Sequence, residues 1–300
     1  MIEMRKIWKN NSFQRNFYAW VLLFPSLIFI TLFTFYPIIK TLHLSFFRLD
    51  LGTPQGIYMG LGNFRGMLED EVFWKVLKNN IWFAAGTIPI SMGMGMLMAL
   101  VLNKAMVGRS WLRTFFFYPT VIPMIAIANI WLFIYTPEYG LLNHILSWAG
   151  MGRVNWLGNP NIVMWAMIIM VIWKESGFFM IFYLAGLQNI SRELYEATEI
   201  DGASSITVFR KITFPLLMPT TLFIFIIALT NSFKLVDHLV IMTQGGPNNA
   251  SNLLLYYIYE TAFKFWDQGV ASALTVIMLV IMVIIASIQF FGLDKKIYYS

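Results

Sequence analysis

Six stretches of this 300-residue chain are long and apolar enough to cross a lipid bilayer: 17–37, 81–102, 114–136, 162–184, 215–233 and 269–291. A helical crossing takes about 20 mostly apolar residues, because each backbone N–H and C=O must be satisfied inside the segment when no water is present. Transmembrane barrels solve the same problem with strands of about 10 residues that alternate apolar and polar, and that period is missing here. The expected fold is an all-α membrane protein with six transmembrane helices. Composition agrees, with 58% hydrophobic and only 12% charged residues, against roughly 25% charged in soluble domains. The first stretch continues to Pro37 without a small-residue cleavage site, so it is read as a retained span.

The net charge of +6 is informative through its placement. Lys and Arg in short loops beside spans mark the cytoplasmic side. Arg5, Lys6, Lys9 and Arg15 precede the first span, and Lys104, Arg109 and Arg113 link the second to the third. Arg192, Arg210 and Lys211 link the fourth to the fifth, and Lys295 and Lys296 follow the sixth. On the opposite side the first loop mixes its bases with Asp50, Glu69, Asp70 and Glu71. Both termini are therefore expected in the cytoplasm. A nucleic-acid partner has no support, since no basic stripe with interleaved aromatics occurs on a soluble domain. The chain has no cysteine, and its histidines at 43, 144 and 238 are too scattered for a metal site.

The cytoplasmic segment LYEATEIDGASSITVFRKITFPLLMP (194–219) is unusually polar and patterned for its surroundings. Leu194, Ala197, Ile200, Ala203 and Ile206 recur at every third position beside Glu193, Glu196 and Glu199, which predicts a short helix with an apolar and an acidic face. Gly202 is expected to end that helix, and Ser204 or Ser205 to cap a second one finishing near Arg210 and Lys211, before Pro215 opens the fifth span. Helices that rest on lipid favour Lys and Arg on their polar face. An acidic face suits a basic protein partner better.

Glu196-Ala197-Thr198, then Gly202, then Ile212-Thr213-Phe214-Pro215 resembles the EAA loop of binding-protein-dependent ABC importers, with Thr198 standing for the second alanine and Phe214 for leucine. The likeness continues through LAGLQNISRELYEA before the loop and TQGGPNNASNLLLYYIYETAF after the fifth span, as in sugar-type permeases for maltose and glycerol-3-phosphate. It covers nearly the whole chain. The resemblance implies a single permease domain of the type I ABC importer fold over residues 1–300, with a coupling loop at 187–214, in a bacterial inner membrane. It implies three protein partners: a second homologous permease subunit, a cytoplasmic ATPase dimer and an extracytoplasmic substrate-binding protein. Glu196, Ala197, Thr198, Gly202, Ile212 and Pro215 would form the docking segment. No Gly-x-x-x-x-Gly-Lys-Ser/Thr motif occurs, so the chain is expected to be no enzyme by itself and to hold no cofactor, ATP being bound by a separate subunit.

Lys174 and Glu175 stand inside the fourth stretch, where a charge costs about 2.5–3.5 kcal/mol on insertion scales and so faces a protein interior or a wet cavity. Adjacent helical residues point about 100° apart, so the two are not expected to enter one narrow pocket. A structural ion pair and a substrate contact both remain open readings. The maltose-type resemblance puts a sugar site on the spans flanking the loop, which carries over to Lys174, Glu175, Phe178, Ser232 and Leu235, with Asn231 beside them. An aromatic ring with hydroxyl, amide and charged groups is suited to a carbohydrate or polyol. Lys234 and Asp237 are expected to pair on one helix face. Gly93 and Gly95 are expected to allow close helix packing, and Gly245-Gly246-Pro247 to form a tight external turn. A stand-alone secondary transporter would need internal repeats, and a membrane-embedded enzyme would need converging acid, base or metal groups; neither pattern is present.

Overall fold

The computed structural model describes residues 2–49, 56–104 and 106–289. Asp50, positions 290–291 of the sixth stretch, Lys295 and Lys296 lie outside these residues, as do the side chains of Arg5, Lys6, Lys9 and Arg15. Helix α1 (Ile2–Ile30) passes through a widened turn at Thr31–Phe35 into α2 (Tyr36–Leu44). A short antiparallel ribbon, β1 (Phe47–Arg48) with β2 (Ile57–Tyr58), leads to α3 (Gly62–Glu69) and the long α4 (Glu71–Asn103). Helices α5 (Arg109–Val121), α6 (Met124–Tyr135) and α7 (Leu141–Trp148) precede α8 (Val163–Gln188). Three short helices, α9 (Arg192–Ile200), α10 (Ser205–Val208) and α11 (Phe214–Leu216), connect α8 to α12 (Met218–Lys234). The chain then runs through α13 (Asp237–Met242) and α14 (Leu254–Tyr259) to α15 (Gln268–Ile288). Five of the described helical segments are long and apolar enough to cross a membrane, or six if α5 and α6 together count as one.

Helices α4 and α8 form the spine. A side chain at Gly95 would meet Phe179 Cβ at 2.9 Å and the backbone of Ser176 and Met180 at 3.0 Å, so the absence of a Cβ is what lets the two backbones approach. Gly93, expected to act likewise, faces open space instead. One buried cluster joins α8 to α6 and α13 through Met167, Ile127 and Leu239, and a second joins it to α4 and α12 through Phe179, Ala99 and Ile224. Helices α1 and α2 stand outside this core, and none of the most apolar window within Asn16–Leu44 is buried.

The third apolar stretch, expected as a span over 114–136, is sharply bent. It is two helices, α5 and α6, at 99° to each other. Ile122 is extended (ψ 132°) because the proline ring of Pro123 disfavours helical geometry in the residue before it. The carbonyls this break would leave without a partner are held from α8, where the Lys174 ammonium donates to Pro119 O (3.4 Å), Thr120 O (3.3 Å) and Ile122 O (2.9 Å).

Lys234 and Asp237 also differ from their expected arrangement. Lys234 closes α12 and Asp237 opens α13, with Leu235 extended between them, so they do not share a helix face. No ion pair joins them among the described residues. The Gly245-Gly246-Pro247 segment does turn tightly, with Gly246 N–H on Thr243 O (2.9 Å) and Ala250 N–H on Pro247 O (2.9 Å). Helix α4 anchors this connection. The Asn79 amide donates to Asn249 O (2.8 Å) and Asn252 O (3.0 Å), and Asn80 accepts from Leu254 N–H (2.7 Å).

Candidate functional site

Two sites emerge, at different depths along the bundle. The first is the helical connection from α8 to α12. Ser191 caps α9 by accepting from Glu193 N–H (3.3 Å). Helix α9 ends at a turn in which Gly202 adopts φ +64°, a left-handed geometry that costs a side-chain-bearing residue about 1–2 kcal/mol. The turn is closed by Gly202 N–H on Glu199 O (3.2 Å) and Ala203 N–H on Thr198 O (3.0 Å), which satisfies the last carbonyls of α9. Ser204, one of the two candidates, caps α10 by accepting from Thr207 N–H (3.3 Å).

The second helix of the connection does not stop near Arg210 and Lys211. It continues through a widened turn at Phe209–Thr213 into α11, which contains Pro215, and α12 opens one turn later with Pro219 in its first turn. Ile212 is half-buried within that continuation. Tyr195 and Thr213 share a hydrogen bond of 3.2 Å that ties α9 to it. Thr198 donates to Tyr195 O (2.7 Å), so the hydroxyl at this departure from the EAA pattern is spent inside the loop.

The connection leaves both apolar and acidic side chains exposed. Ile200 is 87% exposed and Ile206, on the rim of the groove described below, 72% exposed, and Ala197 and Glu196 are exposed as well. Among the described residues, Glu196 pairs only with its own helix neighbour Arg192, at 3.1 Å between exposed side chains. A surface i,i+4 pair of this kind is worth about 0.3–0.5 kcal/mol, so a basic group from outside can replace it readily. Behind the connection a groove of about 690 Å³ separates it from the ends of α4 and α8, lined by Asn103, Lys104, Leu187, Tyr195, Phe209 and Thr213 among others. Lys104 of the basic α4–α5 link thus lies on the same side as the acidic loop.

The second site is a constricted cavity between α4, α8 and α12. Glu175, Asn231, Ser232 and Leu235, four of the six residues expected along a solute route, line it together. Phe83, Thr87, Ser91 and Phe179 complete much of its wall, and its volume of about 10 Å³ admits a single water-sized group. The Glu175 carboxyl meets the Asn231 side-chain amide there.

Lys174 and Phe178 lie elsewhere. Lys174 turns to the α5–α6 break, and Phe178 packs on Phe182 with ring centroids 4.9 Å apart. The aromatic wall is supplied by Phe179 and Phe83, which the sequence reading did not select, and the polar lining of α4 by Thr87 and Ser91. A weak signal existed for the latter pair: they are the only hydroxyl residues on the second stretch, four apart and so on one helix face.

The described residues thus form a helical bundle of five spans, or six if α5 and α6 count as one, with an exposed helix–turn–helix between α8 and α12. The chain belongs to the binding-protein-dependent transport system inner membrane component family, whose model matches residues 91–297. It is 30% identical to the probable starch degradation products transport system permease protein AmyD of Thermoanaerobacterium thermosulfurigenes, over 96% of this chain and 98% of that one. It is 31% identical to the sn-glycerol-3-phosphate transport system permease protein UgpA of Agrobacterium fabrum, again over 96% and 98%. Its fold matches a chain of a bacterial ABC transporter involved in the import of the acidic polysaccharide alginate, with a TM-score of 0.85, 24% identity and coverage of 97% and 99%. The protein is an ABC importer permease subunit with several membrane-spanning helices.

Proposed function

We propose that this chain forms half of a pore that carries a carbohydrate or related polyol into a bacterial cell through the inner membrane. A second, similar permease subunit completes the pore, and a substrate-binding protein delivers the solute from outside. Both termini face the cytoplasm. ATP is bound and hydrolysed by a separate pair of subunits, and the α9–α10 connection is the grip through which their closure reaches α8 and α12. As those subunits close on ATP, the paired connections draw together and the spans open toward the loaded binding protein; hydrolysis resets them.

The observation that carries this reading is the exposed surface of Glu196, Ala197, Ile200 and Ile206 around the Gly202 turn, built on the strands of chain that enter two pore-lining helices. Exposed apolar area of this kind, rimmed by charge, marks a protein-docking surface. The polar cavity of Glu175, Asn231 and Ser232, with the rings of Phe83 and Phe179, supplies the acceptors and aromatic faces that sugars require.

The test is ATP hydrolysis by the purified complex in nanodiscs with its binding protein and a panel of sugars and glycerol phosphodiesters. Wild type is compared with Glu196→Ala combined with Gly202→Pro. Stimulation by one solute, lost in the double variant while the spans stay folded, is the expected result. Normal coupling without those two residues would remove their docking role, and a chain with which no ATPase co-purifies would be a transporter that works alone.

A further inference from the structure

The cavity between α4, α8 and α12 is unbalanced in its hydrogen-bonding capacity. Thr87, Ser91 and Ser232 all line it, and each gives its proton to its own helix: Thr87 to Phe83 O (2.7 Å), Ser91 to Thr87 O (2.6 Å) and Ser232 to Leu229 O (2.8 Å). A hydroxyl whose proton is spent presents only lone pairs, and an ionised carboxylate does the same. The Asn231 amide is the one side-chain N–H group in the lining, and it is turned to Glu175.

The neighbouring cation is not part of this wall. Lys174 follows the helix 100° away from Glu175 and its ammonium is engaged by the carbonyls of Pro119, Thr120 and Ile122. His238 stacks on Phe83, ring centroids 5.8 Å apart, and is not among the lining residues. Among the lining residues there is one acid and no base.

We propose that Glu175 is a specificity-determining residue, which makes this chain's part of the route accept solute groups that donate hydrogen bonds and carry no negative charge. Neutral sugar hydroxyls or an amino group fit that wall; a carboxylate, phosphate or sulfonate entering it meets lone pairs and a like charge. The inference rests on the preceding reading of the cavity as part of the solute route.

The chain's lack of cysteine makes a direct test available. Ser232→Cys is introduced into the full complex with cysteine-free partner subunits, and its modification rates by 2-aminoethyl and 2-sulfonatoethyl methanethiosulfonate are measured in each nucleotide state. Both rates are normalised to those of the exposed position in Ser147→Cys. The normalised rate for the cationic reagent should exceed that for the anionic one at least tenfold, collapse toward parity in Glu175→Gln, and persist in Glu175→Asp. Parity in the wild-type background, or a ratio indifferent to Glu175→Gln, overturns the charge selection alone and leaves the route reading standing. If neither reagent reaches position 232 in any nucleotide state, the cavity is not on a wetted route; that reading then falls and takes this proposal with it.

Discussion

The Lys174 ammonium donates a 2.9 Å hydrogen bond to the carbonyl oxygen of Ile122, the residue at which the third apolar stretch breaks. Two more carbonyls, of Pro119 and Thr120, share the same three-proton donor. A helix end inside a membrane has no water to satisfy its last carbonyls. An intramembrane lysine does so here, which accounts for a charge that appears out of place in the sequence.

Replacing that donor with a nonpolar chain of similar length, Lys174→Met, is expected to lower stability by about 1.5–3 kcal/mol, the range for a hydrogen bond to a charged group. Lys174→Arg should recover part of the loss. Thermal unfolding of the purified complex in detergent distinguishes the two, and a Lys174→Met protein as stable as wild type would show that the break is held by other means.

Close packing of α4 on α8 makes a paired prediction at two glycines. Gly95→Ala places a methyl against backbone and Phe179 Cβ, so it should destabilise by about 1–3 kcal/mol as overpacking does. Gly93→Ala enters open space and should be neutral or slightly stabilising through helix propensity. Equal effects of the two substitutions on the unfolding midpoint would contradict the observed approach.

His238 is fully buried, stacked on Phe83, and neither ring nitrogen has a hydrogen-bond partner among the described residues. An orphaned buried polar group costs about 1–3 kcal/mol. His238→Phe retains the stacking ring and removes the orphans, so the melting temperature should hold or rise. A drop of several degrees would reveal a polar partner for the imidazole in the assembled complex.

Outside the spans, the Tyr257 hydroxyl donates to Asp70 Oδ2, and the other oxygen of that carboxylate caps α4 through Val72 N–H (2.8 Å). Burial, reinforced by the hydrogen bond to Asp70 and the nearby charges of Asp70 and Glu260, pushes the Tyr257 phenol above the ordinary tyrosine range. A raised folded value means the contribution is fully present below the unfolded value of about 10 and fades as pH climbs through the folded one. The stability gap between wild type and Tyr257→Phe should therefore stay constant from neutral pH to about 9 and narrow at more alkaline pH. Unfolding midpoints across that series test it; a gap that widens with alkalinity would reverse the sign.

The helical bundle was legible because lipid allows few solutions for a backbone: a run such as 162–184 has to close its hydrogen bonds internally, and α8 does. The connection between α8 and α12 was legible for a related reason. Its turn depends on local geometry that Gly202 and Ser204 write directly into the chain. Its continuation past Lys211 into α12 was not, since Pro215 is compatible with a helix start and the sequence holds Pro219 only four residues on.

Side-chain direction within α8 marks the boundary between the two kinds of information. The spacing rule alone separates Lys174 from Glu175 by about 100°, but it does not say which of them faces the cavity. That was decided by the 99° bend of α5 and α6, which put unsatisfied carbonyls on the Lys174 side, and by Asn231 of α12 on the other. The same packing brought Phe179 into the wall in place of Phe178. Backbone satisfaction in lipid and turn geometry act over a few neighbouring residues, so the spans and the helix–turn–helix between the fourth and fifth of them are written in the chain. Which polar side chains share a cavity depends instead on how far apart, and at what angle, helices distant in sequence come to rest.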